Sequence, residues 1–294
     1  IVMFLPNFVS LDKKIVSGAI RLIPLLKALF RNFSCSNLYF FALFSLLFCF
    51  IKNFIYIISR YLITHKIFLF NSLNMTQIYT ILFDLDGTII NTAPDLMSAH
   101  NHVMKKFGHP VKELGEIKNL AGKGAWVMMQ RSFKKEVTDE KIKKEMTNEF
   151  IDFYSKNIAN DSKPINGLFE FLDWAKSKNI SMAICTNKQE RLAVDLLKKL
   201  KLFDYFDYVA GSDTFNFNKP DPRHLTDVVE IIGGDLKKTI MIGDSEVDEM
   251  AAINAKLPFV LVADGYTEKS ANQIKHDFYI KDYTGFEKII SKYL

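Results

Sequence analysis

Short apolar runs alternate with amphipathic stretches through the last three quarters of the chain. Runs rich in Val, Ile and aromatic residues at about 78–84, 180–185, 207–210, 239–243 and 258–262, each bounded by turn residues, predict strands. Helices are predicted at about 167–178, 188–200, 222–232 and 246–255, where apolar residues return every three or four positions, as Leu168, Phe171, Leu172 and Ala175 do. Strands alternating with helices in this way form an α/β fold with a parallel sheet covered on both faces.

One segment departs from the alternation. Between Asn91 and Pro164 there is no strong strand pattern, only helical stretches near 94–107, 113–120, 124–134 and 139–158, separated by Gly108, Pro110 and an Ala-Gly-Lys-Gly turn at 121–124. A helical insert over 92–163 reads as a small cap domain above the carboxyl edge of the sheet, where ligands sit in such folds. The core then comprises residues 75–91 and 164–294.

The first quarter reads as a separate object. Residues 1–74 hold 12 of the 26 phenylalanines, eight of the 38 basic residues and one of the 33 acidic ones. The net charge of +5 therefore belongs to this segment, because the rest carries 30 bases against 32 acids. That distribution removes the case for a nucleic-acid partner. From Phe33 to Ile51 there are 19 residues without a charge, long enough for a membrane-spanning candidate. Bases flank the run on both sides, so charge bias assigns no topology, and no small-residue cleavage pattern follows as in a signal peptide. Two readings stay open: a membrane anchor at 33–51, or a mis-assigned or dispensable extension with Met75 as the true start.

Composition adds limits. A chain of 294 residues with 49% hydrophobic and 24% charged residues has room for a core and an accessory unit and is not a disordered or fibrous sequence. Its three cysteines, Cys35, Cys49 and Cys185, are odd in number and widely spaced. They form neither a disulfide framework nor a zinc motif, and they point to a reducing, cytoplasmic setting.

The strongest chemical signal is Phe-Asp-Leu-Asp-Gly-Thr at 83–88, an apolar strand running into two aspartates one residue apart. Residues i and i+2 of a strand face the same way, so Asp84 and Asp86 project together, with Gly87 for the turn and the Thr88 hydroxyl beside them. Two carboxylates this close need a cation between them or proton affinities pushed apart. With Mg²⁺ bound, one can attack phosphorus while the other exchanges a proton with the leaving group and later with water.

Three further motifs follow in order, each near the carboxyl end of a later strand. In Cys-Thr-Asn-Lys at 185–188, Thr186 and Asn187 end a strand and open a helix, where hydroxyl, amide and helix N–H groups can hold phosphate oxygens. Lys219, in Asn-Lys-Pro-Asp-Pro at 218–222, brings an ammonium that can neutralise an acyl-phosphate. In Met-Ile-Gly-Asp-Ser-Glu-Val-Asp at 241–248, Asp244 offers a hard oxygen ligand for the metal and Asp248, a turn further on, a supporting charge.

These four motifs resemble those of the haloacid dehalogenase superfamily over about residues 78–285. The resemblance implies a Rossmann-like core with an inserted all-helical cap, and a phosphoric monoester hydrolase that works through an aspartyl-phosphate. It implies that Asp84 is the nucleophile and Asp86 the acid/base, that Thr186, Asn187 and Lys219 hold the phosphoryl group, and that Mg²⁺ is bound by Asp84, the Asp86 carbonyl and Asp244. An acid two residues after the nucleophile, with Thr88, favours phosphatases over dehalogenases and mutases.

Within the superfamily, Asp-Leu-Asp-Gly-Thr-Ile-Ile-Asn-Thr-Ala-Pro-Asp-Leu at 84–96 and the Gly122-Lys123-Gly124 turn resemble the phosphoglycolate phosphatases. That implies a small phosphorylated substrate, 2-phosphoglycolate, held under a cap glycine loop. A β-phosphoglucomutase-like or pyrophosphate-cleaving relative would share every catalytic residue, and a membrane-tethered non-enzymatic protein is the remaining alternative. Lys123 departs from the neutral residue expected between the glycines. It reads equally as a partner for a substrate carboxylate and as a solvated turn lysine. Oligomeric state is not readable.

Overall fold

The computed structural model describes residues 80–132 and 139–293. The expectations for the extension at 1–74, the segment at 33–51 and a start at Met75 lie outside these residues. Among the described residues, no helix is long and apolar enough to cross a membrane.

Six parallel strands form one sheet: β1 (Thr80–Phe83), β4 (Ser181–Cys185), β5 (Tyr208–Ala210), β6 (Thr239–Gly243), β7 (Phe259–Val262) and β8 (Phe278–Ile280). Their order is β5-β4-β1-β6-β7-β8, which puts β1 beside both β4 and β6. All of β1 is buried, as a strand covered on two faces must be. Side-chain alternation sorts the core into two layers. Ile81, Phe83, Ile184, Ile240 and Ile242 face one side and pack against the helices α5 (Leu168–Ser177), α6 (Glu190–Lys199) and α9 (Phe286–Ile290). Leu82, Ala183, Cys185 and Met241 face the other, against α7 (Arg223–Ile231) and α8 (Glu246–Ala255). In the first layer Phe83, Phe171, Phe206, Tyr283 and Phe286 form an aromatic cluster whose contacting rings have centres 5.0 to 6.5 Å apart.

The insert is helical, as its pattern requires. It contains α1 (Ala93–Lys106), α2 (Ile117–Leu120), α3 (Ala125–Ser132) and α4 (Glu140–Lys156). The chain enters it through β2 (Ile90–Asn91) and leaves through β3 (Lys163–Pro164), and these pair antiparallel, Ile90 with Pro164 and Asn91 with Lys163. Buried Asp95 fastens this neck. Its carboxylate accepts the Asp161 and Ser162 backbone N–H groups and, at 2.6 Å, the Ser162 hydroxyl.

Several boundaries differ from the sequence reading. The helix expected near 113–120 is split into a tight turn at Leu114–Glu116 and the short α2. The helix expected from 188 begins at Glu190, because the Lys188 N–H turns to the Thr186 hydroxyl and Thr186 to Lys188 remain a loop. β2, β3, β8 and α9 were not expected. Each is two to five residues long, too short to show a period.

Because Asp95 alone satisfies three donors at the neck, Asp95→Ala should cost about 2–3 kcal/mol of unfolding free energy. Denaturant melts of the variant check this, and a change near zero would contradict it.

Candidate active site

Three sheet strands deliver the motif residues to one edge. β1 ends one residue before Asp84, β4 one before Thr186 and β6 one before Asp244. Backbone pairing continues past the strand ends, with Asp84 N–H donating to the Ile242 carbonyl and Thr186 N–H to Ala210, both at 2.9 Å. The side chains are therefore presented by a rigid ladder. Lys219 arrives from the loop between β5 and α7 and is buried.

Carboxylate oxygens of Asp84, Asp244 and Asp248 lie within 4.8 Å of one another. Lys219 Nζ is 2.7 Å from Asp84 Oδ1 and 2.6 Å from Asp248 Oδ1. Asp248 is otherwise fully occupied. Its Oδ2 accepts the Ser245 hydroxyl at 2.7 Å and the Ser245 and Asp244 N–H groups, which caps the start of α8. Among the described residues no cation contacts Asp244; the Tyr266 N–H donates to its Oδ2 at 2.6 Å, and the Thr88 hydroxyl is 3.5 Å from Oδ1. Gly87 makes this approach possible: its φ is +82°, and a Cβ would strike the Asp244 carboxylate.

The electrostatics follow from this crowding. Burial, with the charges of Asp248 and Asp86 adding to it, pushes the Asp84 carboxyl from 3.8 to about 6 against the pull of Lys219. Burial and the neighbouring Asp248 and Asp84 hold Asp244 well above its ordinary value. Burial alone would lower Lys219, but the Asp248 and Asp84 carboxylates outweigh it and hold the ammonium above its usual range. Hard oxygens, a carboxylate without a cation contact among the described residues, and proton affinities raised by burial and by neighbouring carboxylates fit a divalent cation bound between Asp84 and Asp244.

Asp86 lies apart from that cluster. Its two oxygens accept Lys188 Nζ at 2.7 and 2.8 Å, and Oδ1 also accepts the Thr92 hydroxyl at 2.7 Å. Lys188, Thr92 and Tyr266 were missed by the sequence reading. Lys188 directly follows the Thr-Asn pair, a signal that was available. Tyr266 stands in no motif, yet its hydroxyl accepts the Thr92 and Ala93 N–H groups at 2.8 Å and so caps α1.

A cavity of about 390 Å³ opens between the sheet edge and the cap. Asp84, Asp86, Thr186, Asn187 and Lys188 line its floor, and Leu96, Trp126, Met128, Phe150 and Tyr154 line its roof. The Gly122-Lys123-Gly124 turn borders it. A Cβ at Gly124 would come within 3.1 Å of the Asn187 carbonyl, and the Asn187 amide donates to the Gly122 and Lys219 carbonyls. The turn thus rests directly on the second motif. Lys123 Nζ is 4.0 Å from Glu246 and its side chain is 42% exposed. The Asn187 side-chain oxygen and the Tyr154 hydroxyl are buried without hydrogen-bond partners among the described residues. Cys185, by contrast, is a buried thiol that burial pushes up to about 12.

A family model of the haloacid dehalogenase-like hydrolases matches residues 81–262. The chain belongs to this family. It is 39% identical over 218 residues to the phosphoglycolate phosphatase of Agrobacterium fabrum, covering 72% of this chain and 94% of the relative. The phosphoglycolate phosphatase of Caulobacter vibrioides is 36% identical over 211 residues, 71% of this chain and 89% of the relative. The crystal structure of a predicted phosphoglycolate phosphatase from Haemophilus somnus superposes with a TM-score of 0.69 at 29% identity, over 73% of this chain and 99% of that one. A β-phosphoglucomutase from Clostridium difficile gives 0.62 at 25% identity, over 74% and 97%. The parallel core with its helical cap is the architecture of this hydrolase family.

The folded chain keeps an Asp84 proton up to about pH 6, whereas an unperturbed Asp releases it near 3.8. In that window the native state binds the extra proton, so in chelator Asp84 costs stability as pH rises. The melting temperature of Asp84→Asn relative to wild type should therefore climb between pH 4 and pH 6. A difference independent of pH would contradict the assignment.

Proposed function

We propose that this hydrolase is a Mg²⁺-dependent phosphatase of a small phosphate monoester, 2-phosphoglycolate, working through a phosphorylated Asp84. The observation that carries this reading is the Asp84 carboxylate on the cavity floor, 2.7 Å from Lys219 and clustered with Asp244. The names of the relatives from Agrobacterium and Caulobacter support the substrate. Cytoplasm is the compartment this reading favours, in keeping with the cysteine pattern.

Asp84 attacks phosphorus in line, forming an Asp–phosphorus bond as the ester bond breaks. Asp86 gives its proton to the departing glycolate oxygen, then takes one from the water that attacks the phosphoryl-aspartate. Thr186, Asn187 and Lys219 hold the phosphoryl oxygens, and the partnerless Asn187 oxygen leaves that side chain capacity for a ligand. Asp84, the Asp86 carbonyl and Asp244 would hold Mg²⁺, which would supply positive charge against the transferring phosphoryl group. Thr88 and Asp248 support Asp244 and Lys219. The Gly122-Lys123-Gly124 turn brings the cap onto the site so that bulk water is shut out during transfer.

Asp84→Asn should lose turnover by about 10⁴-fold or more while keeping its circular dichroism. Phosphatase activity retained in that variant would refute the nucleophile. A substrate panel of 2-phosphoglycolate, hexose phosphates, nucleotides and pyrophosphate should give the highest kcat/KM for phosphoglycolate. A preference for a hexose phosphate would move the reading to the mutase-like branch.

A further inference from the structure

The mechanism above gives no task to Lys188, although its side chain is only 5% exposed. Its ammonium engages both oxygens of Asp86, and the Thr92 hydroxyl takes a second position on Oδ1. Both oxygens of a carboxyl group tied in this way are engaged, whereas general acid catalysis needs one of them within hydrogen-bond reach of the ester oxygen, directly or through one water. The acid/base is therefore held aside. What holds it also faces the cap: Lys188 Nζ lies 4.6 Å from the ring centre of Tyr154 on α4, and both residues line the cavity.

The cavity wall beside Lys188 includes the apolar Leu96, Phe150 and Leu192, and the ammonium itself is buried. A buried ammonium in such surroundings gives up one anionic partner at low cost only for another. The substrate proposed above carries one. Its carboxylate is attached to the carbon that bears the ester oxygen, so with phosphorus at Asp84 it lies within the cavity that Asp84 and Lys188 both line.

We propose that Lys188 is a latch: it holds Asp86 aside until a substrate carboxylate takes its ammonium, and the exchange releases Asp86 to reach the ester oxygen. The ammonium has one carboxylate partner throughout, and Asp86, released from it, takes from solvent the proton that it then gives to the ester oxygen. Lys188 is thus a positioning residue for Asp86 and a specificity residue for anionic leaving groups. The inference rests on the phosphoglycolate reading and states why that substrate outruns a neutral ester of the same size.

The test uses the full chain with Mg²⁺ and two esters, 2-phosphoglycolate and 2-hydroxyethyl phosphate, in which a neutral hydroxyl replaces the carboxylate. Wild type should prefer phosphoglycolate. In Lys188→Met and Lys188→Gln the KM for phosphoglycolate should rise about 100-fold, while kcat for hydroxyethyl phosphate rises about tenfold because the latch is gone. A merely structural lysine would lower both activities together. An unchanged or lower kcat on the neutral ester, or an unchanged KM for phosphoglycolate, overturns the latch. A wild type without preference between the esters overturns the substrate reading instead. Independently of any variant, crystals of wild type with 3-phosphonopropionate, the non-hydrolysable analogue, should show Lys188 on the ligand carboxylate and Asp86 released. A Lys188–Asp86 pair still closed beside the bound analogue refutes the proposal.

Discussion

Asp84, Asp86, Asp244 and Asp248 meet at one edge of the sheet, and Lys188 and Lys219 are the ammonium groups in contact with them. Buried charge of one sign is expensive unless it is balanced. The raised proton affinities of Asp84 and Asp244 are the measure of that cost. A single divalent cation offsets the excess of two negative charges, and it suits the side of the cluster that Lys219 does not reach. The sheet supplies the rigidity, since β1, β4 and β6 are paired side by side and cannot splay to relieve the repulsion.

The same edge is wired to the cap. Tyr266 donates its N–H to Asp244 and uses its hydroxyl to cap α1, whose N-cap residue Thr92 donates to Asp86. Asp86 leads on to Lys188, and Lys188 to Tyr154 on α4. Asp244, Asp86 and two cap helices are thus joined through the side chains of Tyr266, Thr92, Lys188 and Tyr154.

Much of this was legible in the chain. Strands buried on both faces appear as unbroken apolar runs, and the residue after each run is where a parallel sheet presents chemistry, so Asp84, Thr186 and Asp244 could be placed from the pattern. The three-strand convergence depends only on that rule. Pairings between distant segments were not legible: Asp86 and Lys188 are 102 positions apart, and Tyr266 shares no motif with Thr92. A carboxylate's partner is set by packing, which the local pattern does not encode. Short elements such as β2, β3 and β8 owe their form to neighbours rather than to their own composition. Asp248, read as a supporting charge, stands among the clustered oxygens, because the turn that starts α8 brings it back over Gly243.

The central claim is that these acids are gathered to bind one divalent ion. Anomalous diffraction from crystals of the protein grown with Mn²⁺ tests it most directly. The account predicts a single strong peak bonded to carboxylate oxygens of Asp84 and Asp244. A peak elsewhere, or none at saturating Mn²⁺, would contradict it.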